Sequence, residues 1–504
     1  MEKYQVIVVG AGNAGLSAAA TCAHEGLKTL LIEKHNIVGG SAQSFRRGRF
    51  EFECSLHELS GVGTPEMPGR VRKRLESLGI HPDWRMDENL FRVIVAGKDG
   101  YDYTVPALLD PFCAWMEKQF PGSGDKVRRL FELADAAVKA TDYLTSEKPN
   151  PKVMLSEHTD FMRMVSYTAR EVMDALGIPP DAQKVLDTYW PYLGALPDTE
   201  DAFHYFYMLW QYVVFGPMMP AKKSPEISFA FEKVILDNGG EVWTNTEVTR
   251  ILESGGEVRG VQTSDGREVY ADRVICSWFP NGVMQTMEKE RIPERYQKLV
   301  NSREIGLSFV TVYIGLNRTA EQLGIKDYTV FLYPSADERE VKERCRGLGI
   351  GGYVIANCLN IVIPESSPEG TSTLFFTLCV YGDEWKLVRP QDYCKKKNEM
   401  AEWALDIYEK QLGITVRPYI EEIEIATPVT FARYLNTPNG TPYGYQTKPG
   451  DSIMARTINL ENETLLKGLR FCGAHAERSD GYSATIGNGN IAALQMIKVM
   501  QETK

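Results

Sequence analysis

A short apolar run, Tyr4-Gln5-Val6-Ile7-Val8-Val9, predicts a strand that stops at Gly10-Ala11-Gly12-Asn13-Ala14-Gly15. The small apolar residues that follow predict a helix, and Thr29 to Ile32 predicts a second strand ending on Glu33. A comparable pattern recurs later. Phe229 to Asp237 reads as a helix and runs through Gly239-Gly240 into a strand-like segment from Glu241 to Ile251. Val258 to Val261 and Ala271 to Ser277 continue as strands about the hairpin signal Asp265-Gly266. Toward the C-terminus, Gly468 to Ala474 reads as a short strand ending in glycine. A glycine-rich stretch from Gly481 to Gly489 follows, then an apolar helix from Ile491 to Met500.

The first forty residues form a complete βαβ unit, with an acidic residue about 20 positions beyond the glycines. Each part has a physical role in holding a dinucleotide. Gly10 permits the tight turn, Gly12 lets the backbone approach a pyrophosphate, and Gly15 allows close packing of helix on strand. Ala14 and its neighbours open a helix whose amide donors and positive dipole end face the phosphates. Glu33 can accept hydrogen bonds from ribose hydroxyls, and Lys34 follows it.

A second glycine pair comes next. The segment Gly39-Gly40-Ser41-Ala42-Gln43-Ser44-Phe45, followed by Phe50-Glu51-Phe52-Glu53-Cys54-Ser55-Leu56-His57, resembles the phytoene desaturase, carotenoid isomerase and retinol saturase family. Glu53 and Cys54-Ser55 stand near positions where that family carries Asp and Gly. The resemblance implies an α/β fold: a two-dinucleotide-binding-domain, Rossmann-like FAD flavoprotein with an inserted α+β substrate domain. FAD would then lie along Gly10, Gly12, Ala14, Gly15, Glu33, Lys34, Gly39, Gly40, Ser41 and Ser44. Val248 would hold the adenine through its backbone, and Gly473, Ala474, Ser483, Ala484 and Thr485 would close the site. The family's Pro-x-Gly-Gly loop is replaced by Pro220-Ala221-Lys222-Lys223-Ser224-Pro225, so that loop is expected to differ in role. Gly347 to Gly352 looks like a further dinucleotide loop. The charged run Asp337 to Arg346 precedes it and a strand, Tyr353 to Ala356, follows, so it reads as a turn and no separate NAD(P)H domain is visible.

A length of 504 residues predicts two domains. The expected FAD-binding domain takes residues 1–95, 221–300 and 430–504, and the substrate domain takes 96–220 and 301–429. The net charge of −11 argues against a nucleic-acid partner. Nine scattered cysteines without a CxxC pair speak for reduced thiols, a cytoplasmic setting and no metal site. The first strand starts within a few residues of Met1, which leaves no room for a signal peptide, and no apolar stretch reaches spanning length.

The densest aromatic segment runs from Tyr189 to Met219 and includes Phe203-His204-Tyr205-Phe206-Tyr207-Met208-Leu209-Trp210-Gln211-Tyr212. It suits an apolar pocket, the core of the inserted domain, or peripheral contact with a membrane. Catalytic candidates must lie near the flavin loops: His57, Tyr443, His475, Arg478 and Tyr482, with Arg478 as anion partner for a polar handle on the substrate. The expected activity is hydride transfer between flavin N5 and a carbon of a hydrophobic unsaturated substrate, with NAD(P)H a candidate electron donor. Alternatives are a flavin-dependent isomerase, an amine-oxidase-like flavoenzyme, and a non-catalytic flavin- or lipid-binding protein. Oligomeric state is left open.

Overall fold

The computed structural model describes residues 3–144, 150–447, 451, 456, 465–476 and 481–502. Its first layer is a parallel sheet in the order Glu241–Trp243, Thr29–Ile32, Lys3–Val9, Glu268–Cys276 and Leu469–Phe471. The strands Val248–Ser254 and Glu257–Thr263 join it as an antiparallel meander on Glu268–Cys276. The first strand is buried on both faces. Val6 and Val8 pack under three helices, Asn13–His24, Ser224–Asp237 and Tyr482–Glu502, while Ile7 and Val9 pack with Ile251, Val261 and Val283 on the other side. Burial on both faces explains why the run Val6 to Val9 is uninterrupted by polar residues.

The second layer is a seven-stranded sheet in the order Ile420–Ala426, Ser308–Leu316, Ser372–Val380, Val354–Asn357, Thr329–Tyr333, Asn89–Val95 and Tyr101–Pro106. One face packs on the helix Tyr393–Leu412 through Val312, Phe376 and Leu378 against Met400, Ala404 and Tyr408. The other face carries Phe91, Phe331 and Tyr333 into a core built by the helices between Leu109 and Phe215. Asn89–Val95 pairs in parallel with Thr329–Tyr333, so the expected boundary at residue 95 moves to before Asn89. The expected break at residue 430 falls inside the helix Pro428–Leu435. Gly347–Gly349 forms a single 3-10 turn before the strand Val354–Asn357, in keeping with its reading as a turn.

The C-terminal helix begins at Tyr482, nine residues earlier than the glycine-rich sequence suggests. Those glycines serve packing, not a loop. A Cβ at Gly489 would lie 2.0 Å from the carbonyl oxygen of Ala14, so the last helix touches the first backbone to backbone. Ser17 Oγ donates to the Ile486 carbonyl at 2.8 Å, and Asn490 Nδ2 donates to Thr21 Oγ1 at 3.0 Å across the same contact. Gly489→Val should therefore force the two helices apart and destabilise the protein by about 1–3 kcal/mol. A urea-unfolding midpoint equal to the parent's would refute this account.

Candidate active site

The two glycine segments meet at the end of the first strand. Gly39 N donates to the Ala11 carbonyl at 2.7 Å, and a Cβ on Gly40 would sit 3.0 Å from Gly12 Cα. Gly15 is fixed by the protein itself, because a Cβ there would lie 1.8 Å from the Gly10 carbonyl oxygen. Gly12 differs: among the described residues, a Cβ there would meet no atom within 4 Å. It caps the helix Asn13–His24 and lines an open cleft. Beside it, Asn13 Oδ1 is buried with no hydrogen-bond partner among the described residues. A smooth backbone face, a helix N-terminus and an orphaned polar atom fit the pyrophosphate of a dinucleotide. Glu33 lines the same cleft. Its Oε2 accepts from Ala11 N at 2.7 Å and its Oε1 from His35 N at 2.8 Å, which orients the carboxylate.

Most of the other expected cofactor residues line this cleft: Gly10, Ala14, Lys34, Gly39, Gly40, Ser41, Val248, Gly473, Ala474, Ser483, Ala484 and Thr485. Two do not. Ser44 turns away on the strand Ser44–Arg47, where its Oγ donates to Glu51 Oε1 at 2.7 Å, and Gly15 lies beneath the loop as a packing glycine. The segment 220–225 also lies off the cleft. Lys223 takes the left-handed backbone (φ +63) and donates its Nζ to the Glu51 carbonyl at 2.9 Å, which ties the loop down. Cys472 is fully buried behind the cleft, where burial pushes its thiol up, and it offers no attachment point to a cofactor.

The catalytic candidates separate by environment. Tyr482 reaches the cleft, but its hydroxyl lies 3.1 Å from each of Ser55 Oγ, Ser224 Oγ and the Ser41 carbonyl oxygen. Ser224 Oγ in turn donates to the buried Glu53 carboxyl at 2.7 Å, so this set holds the loops together. Tyr443 donates to the Pro191 carbonyl at 2.6 Å. His57 is stacked between Phe375 and Tyr192, with Nε2 2.8 Å from Thr377 Oγ1, and burial pushes its pKa down to about 4. His475 packs on Phe279, and burial, helped by Arg303, lowers it to about 3. Its Nε2 has no hydrogen-bond partner among the described residues. Arg478 lies outside the described residues.

One cavity joins the glycine loops to the aromatic helix Ala202–Phe215. Phe203, Tyr207, Met208, Gln211 and Tyr212 face it at helical spacing, whereas Tyr205, Phe206 and Val213 are buried in the core. The segment is thus both pocket wall and core. Where these surfaces meet stands Glu58, a residue the sequence reading passed over. Glu58 is 4% exposed. Its Oε1 accepts from Tyr189 OH at 2.9 Å and Tyr192 OH at 3.3 Å, and its Oε2 accepts from Thr329 Oγ1 at 3.4 Å. Burial raises its pKa to about 8, with nearby Asp87 adding to the shift. The only signal in the sequence was a charged residue at Glu58 between Leu56-His57 and Leu59, inside an apolar stretch. Glu200, Asp201 and His204 also converge here, but their atoms are committed to structure. Asp201 caps the helix through His204 N at 2.9 Å, and Glu200 bridges His204 Nδ1 at 2.7 Å and Thr447 Oγ1 at 2.6 Å.

Fold and cleft together define a two-domain oxidoreductase with a Rossmann-like dinucleotide-binding domain. The NAD(P)-binding Rossmann-like domain family matches residues 8–69. All-trans-retinol 13,14-reductase of Danio rerio is 25% identical over 481 residues, covering 88% of this chain and 78% of that protein. Prolycopene isomerase 2 of an Oncidium hybrid cultivar is 21% identical over 509 residues, covering 98% and 83%. Among solved structures, an oxidoreductase from Methanosarcina mazei superposes with a TM-score of 0.63 at 17% identity, covering 99% of this chain and 100% of that one. Putrescine oxidase shares the fold with a TM-score of 0.64 at 15% identity, covering 99% of each chain. The chain is thus similar along most of its length to retinol reductases and prolycopene isomerases.

Because a Cβ at position 12 meets nothing within 4 Å among the described residues, Gly12→Val should fold normally yet lose its dinucleotide. Purified protein with the parent's melting temperature and no visible flavin bands is the expected result. Retained bands would remove this loop from the cofactor site.

Proposed function

We propose that the protein is an FAD-dependent oxidoreductase that adds or removes hydrogen across a carbon–carbon bond of a hydrophobic, unsaturated substrate. The observation that carries this reading is the single cavity shared by the dinucleotide loops and the aromatic face of the helix Ala202–Phe215. Its similarity to retinol reductases and prolycopene isomerases supports a polyene-like substrate. Bound FAD supplies hydride exchange with a substrate carbon. Gly12, Glu33, Gly40, Val248 and the N-terminus of the helix Tyr482–Glu502 would hold it, while Phe203, Tyr207, Met208 and Tyr212 exclude water and grip the flat apolar chain. Glu58 supplies the proton required at the second carbon, since its carboxyl is kept neutral at physiological pH and opens on the same cavity. Anaerobic titration with NADH and NADPH, with retinol-like alkenes as acceptors, tests the reading. Flavin that bleaches and is reoxidised by an alkene supports reduction, and failure of every polyene to exchange electrons or isomerise would overturn it.

Glu58 gives a signed pH dependence. Its acid form persists below about pH 8, so reductive turnover should be level below that value and fall above it. Glu58→Gln should lower turnover by about 100-fold with flavin retained, and should abolish that limb of the profile. A Gln variant with the parent's rate and profile would assign the proton to another group.

A further inference from the structure

We propose that the side-chain amide of Gln211 receives a carbonyl oxygen, so that the substrate is an unsaturated ketone or aldehyde whose carbonyl is conjugated with the reacting carbon–carbon bond. This rests on the reading of the cavity as the site of a hydrophobic unsaturated substrate, and it names the polar group that substrate carries.

Gln211 stands on the helix Ala202–Phe215, one turn beyond Tyr207, in the otherwise apolar and aromatic wall of the cavity. It is 7% exposed. Its backbone carbonyl accepts from Gly61 N at 3.4 Å, but among the described residues its side-chain amide has no hydrogen-bond partner. A carboxamide more than nine-tenths buried without a partner is destabilising unless a ligand completes it. The hydroxyls around it are used within the protein. Tyr189 and Tyr192 donate to Glu58 Oε1, and Tyr212 donates to the Glu58 carbonyl at 3.3 Å.

Gly61 sets the direction of the amide. A Cβ at Gly61 (φ +68) would lie 2.4 Å from Gln211 Oε1 and 3.3 Å from its Cδ, so only a bare backbone leaves room for the carboxamide oxygen there. Nε2 is the end turned away from that backbone, and Nε2 donates. Its complement is an acceptor, which a carbonyl oxygen supplies. Gly61 follows Glu58 by three residues, a reach of at most about 10 Å along the chain. Amide and carboxyl therefore serve the same stretch of the cavity.

A conjugated carbonyl supplies the electron sink that a plain polyene lacks. As the β-carbon takes hydride from reduced FAD, the π pair moves toward the carbonyl oxygen, and Gln211 Nε2–H donates to the negative charge that develops there. The α-carbon then takes the Glu58 proton and the carbonyl re-forms. One carbon–carbon double bond becomes single with a gain of two electrons, and the cofactor is oxidised by the same two. A hydrocarbon leaves the amide unpaired, and an alcohol offers no place for that charge.

The test uses the flavin-loaded protein and three probes on one retinoid skeleton: a conjugated methyl ketone, the secondary alcohol made from it by hydride reduction, and the hydrocarbon without oxygen. Binding is read by quenching of tryptophan fluorescence, and the state of the carbonyl by the ketone's own absorption band, which moves to longer wavelength when its oxygen accepts a hydrogen bond. The ketone should bind about tenfold more tightly than the hydrocarbon, with the alcohol between them, and its band should shift. Gln211→Met should bring the ketone to the hydrocarbon's affinity, abolish the shift and leave hydrocarbon binding unchanged. Its melting temperature should equal or exceed the parent's, because no hydrogen bond within the protein is lost. Equal affinities for ketone and hydrocarbon in the parent, a preference for the alcohol, or a Met variant that weakens every probe alike would overturn the proposal while leaving the polyene reading intact. A Met variant with a lowered melting temperature would overturn it too, by showing that the amide is bonded within the protein. If none of the three probes binds, the polyene reading itself falls, and the carbonyl proposal with it.

Discussion

Close approach of backbone to backbone is the constraint on which the rest of the structure depends. At Gly15 the first helix touches the turn it follows, at Gly40 the second glycine segment lies on Gly12, and at Gly489 the last helix lies on Ala14. Any side chain at these contacts would meet a carbonyl or a Cα, so the two ends of the chain, more than four hundred residues apart, are held together there. The parallel pairing of Leu469–Phe471 with Glu268–Cys276 completes the join. The N-terminus of the first helix and that of the last both open on the cleft as a result, and two helix dipoles present their positive ends to whatever anion lies between.

That junction also sets the division of labour along the cavity. Close to the glycines the walls are backbone amides, a carboxylate and hydroxyls, as at Glu33, Ser41 and Ser483. Farther away the walls are contributed by the helical segment that packs on the second sheet, and they become aromatic. A helix such as Ala202–Phe215 can serve two masters because its buried residues repeat on more than one face. Phe203, Tyr207 and Gln211 form a stripe toward the cavity, while Tyr205 and Leu209 anchor the helix to the core.

The sequence made the first sheet legible because its elements are local. Strand, glycine turn, helix and acid occupy one short stretch, and each leaves its own period in the chain. The second sheet was harder, because Asn89–Val95 finds its partner at Thr329–Tyr333 and nothing near residue 89 announces that pairing. Glycines misled in one place: at Gly487 and Gly489 they mark close contact inside a helix, a use that looks like a loop until the partner surfaces, Arg74 and Ala14, are in view. Ser44 points away from the cleft for a reason that is likewise invisible in the sequence. In a strand its side chain alternates with its neighbours, and the register with Glu53 aims it at Glu51 instead of the cleft. Glu58 was missed because a lone carboxylate carries no signal until Tyr189, Tyr192 and Thr329 surround it.

Burial decides which of the cleft's titratable groups can give up a proton. A poorly solvated site disfavours every charged form, so it acts in opposite directions on bases and acids. His57 and His475 are pushed to about 4 and about 3 and stay neutral, and a neutral imidazole is a poor acid. Glu58 is pushed the other way and remains a carboxylic acid near neutrality. Tyr482 and Tyr192 are raised well above the ordinary phenol value by the same burial, which makes them reluctant donors of a proton while leaving them good donors of hydrogen bonds. In the proposed reaction the apolar wall that would receive a polyene would therefore also select the proton source, Glu58, the carboxyl that Tyr189 and Tyr192 hold in place.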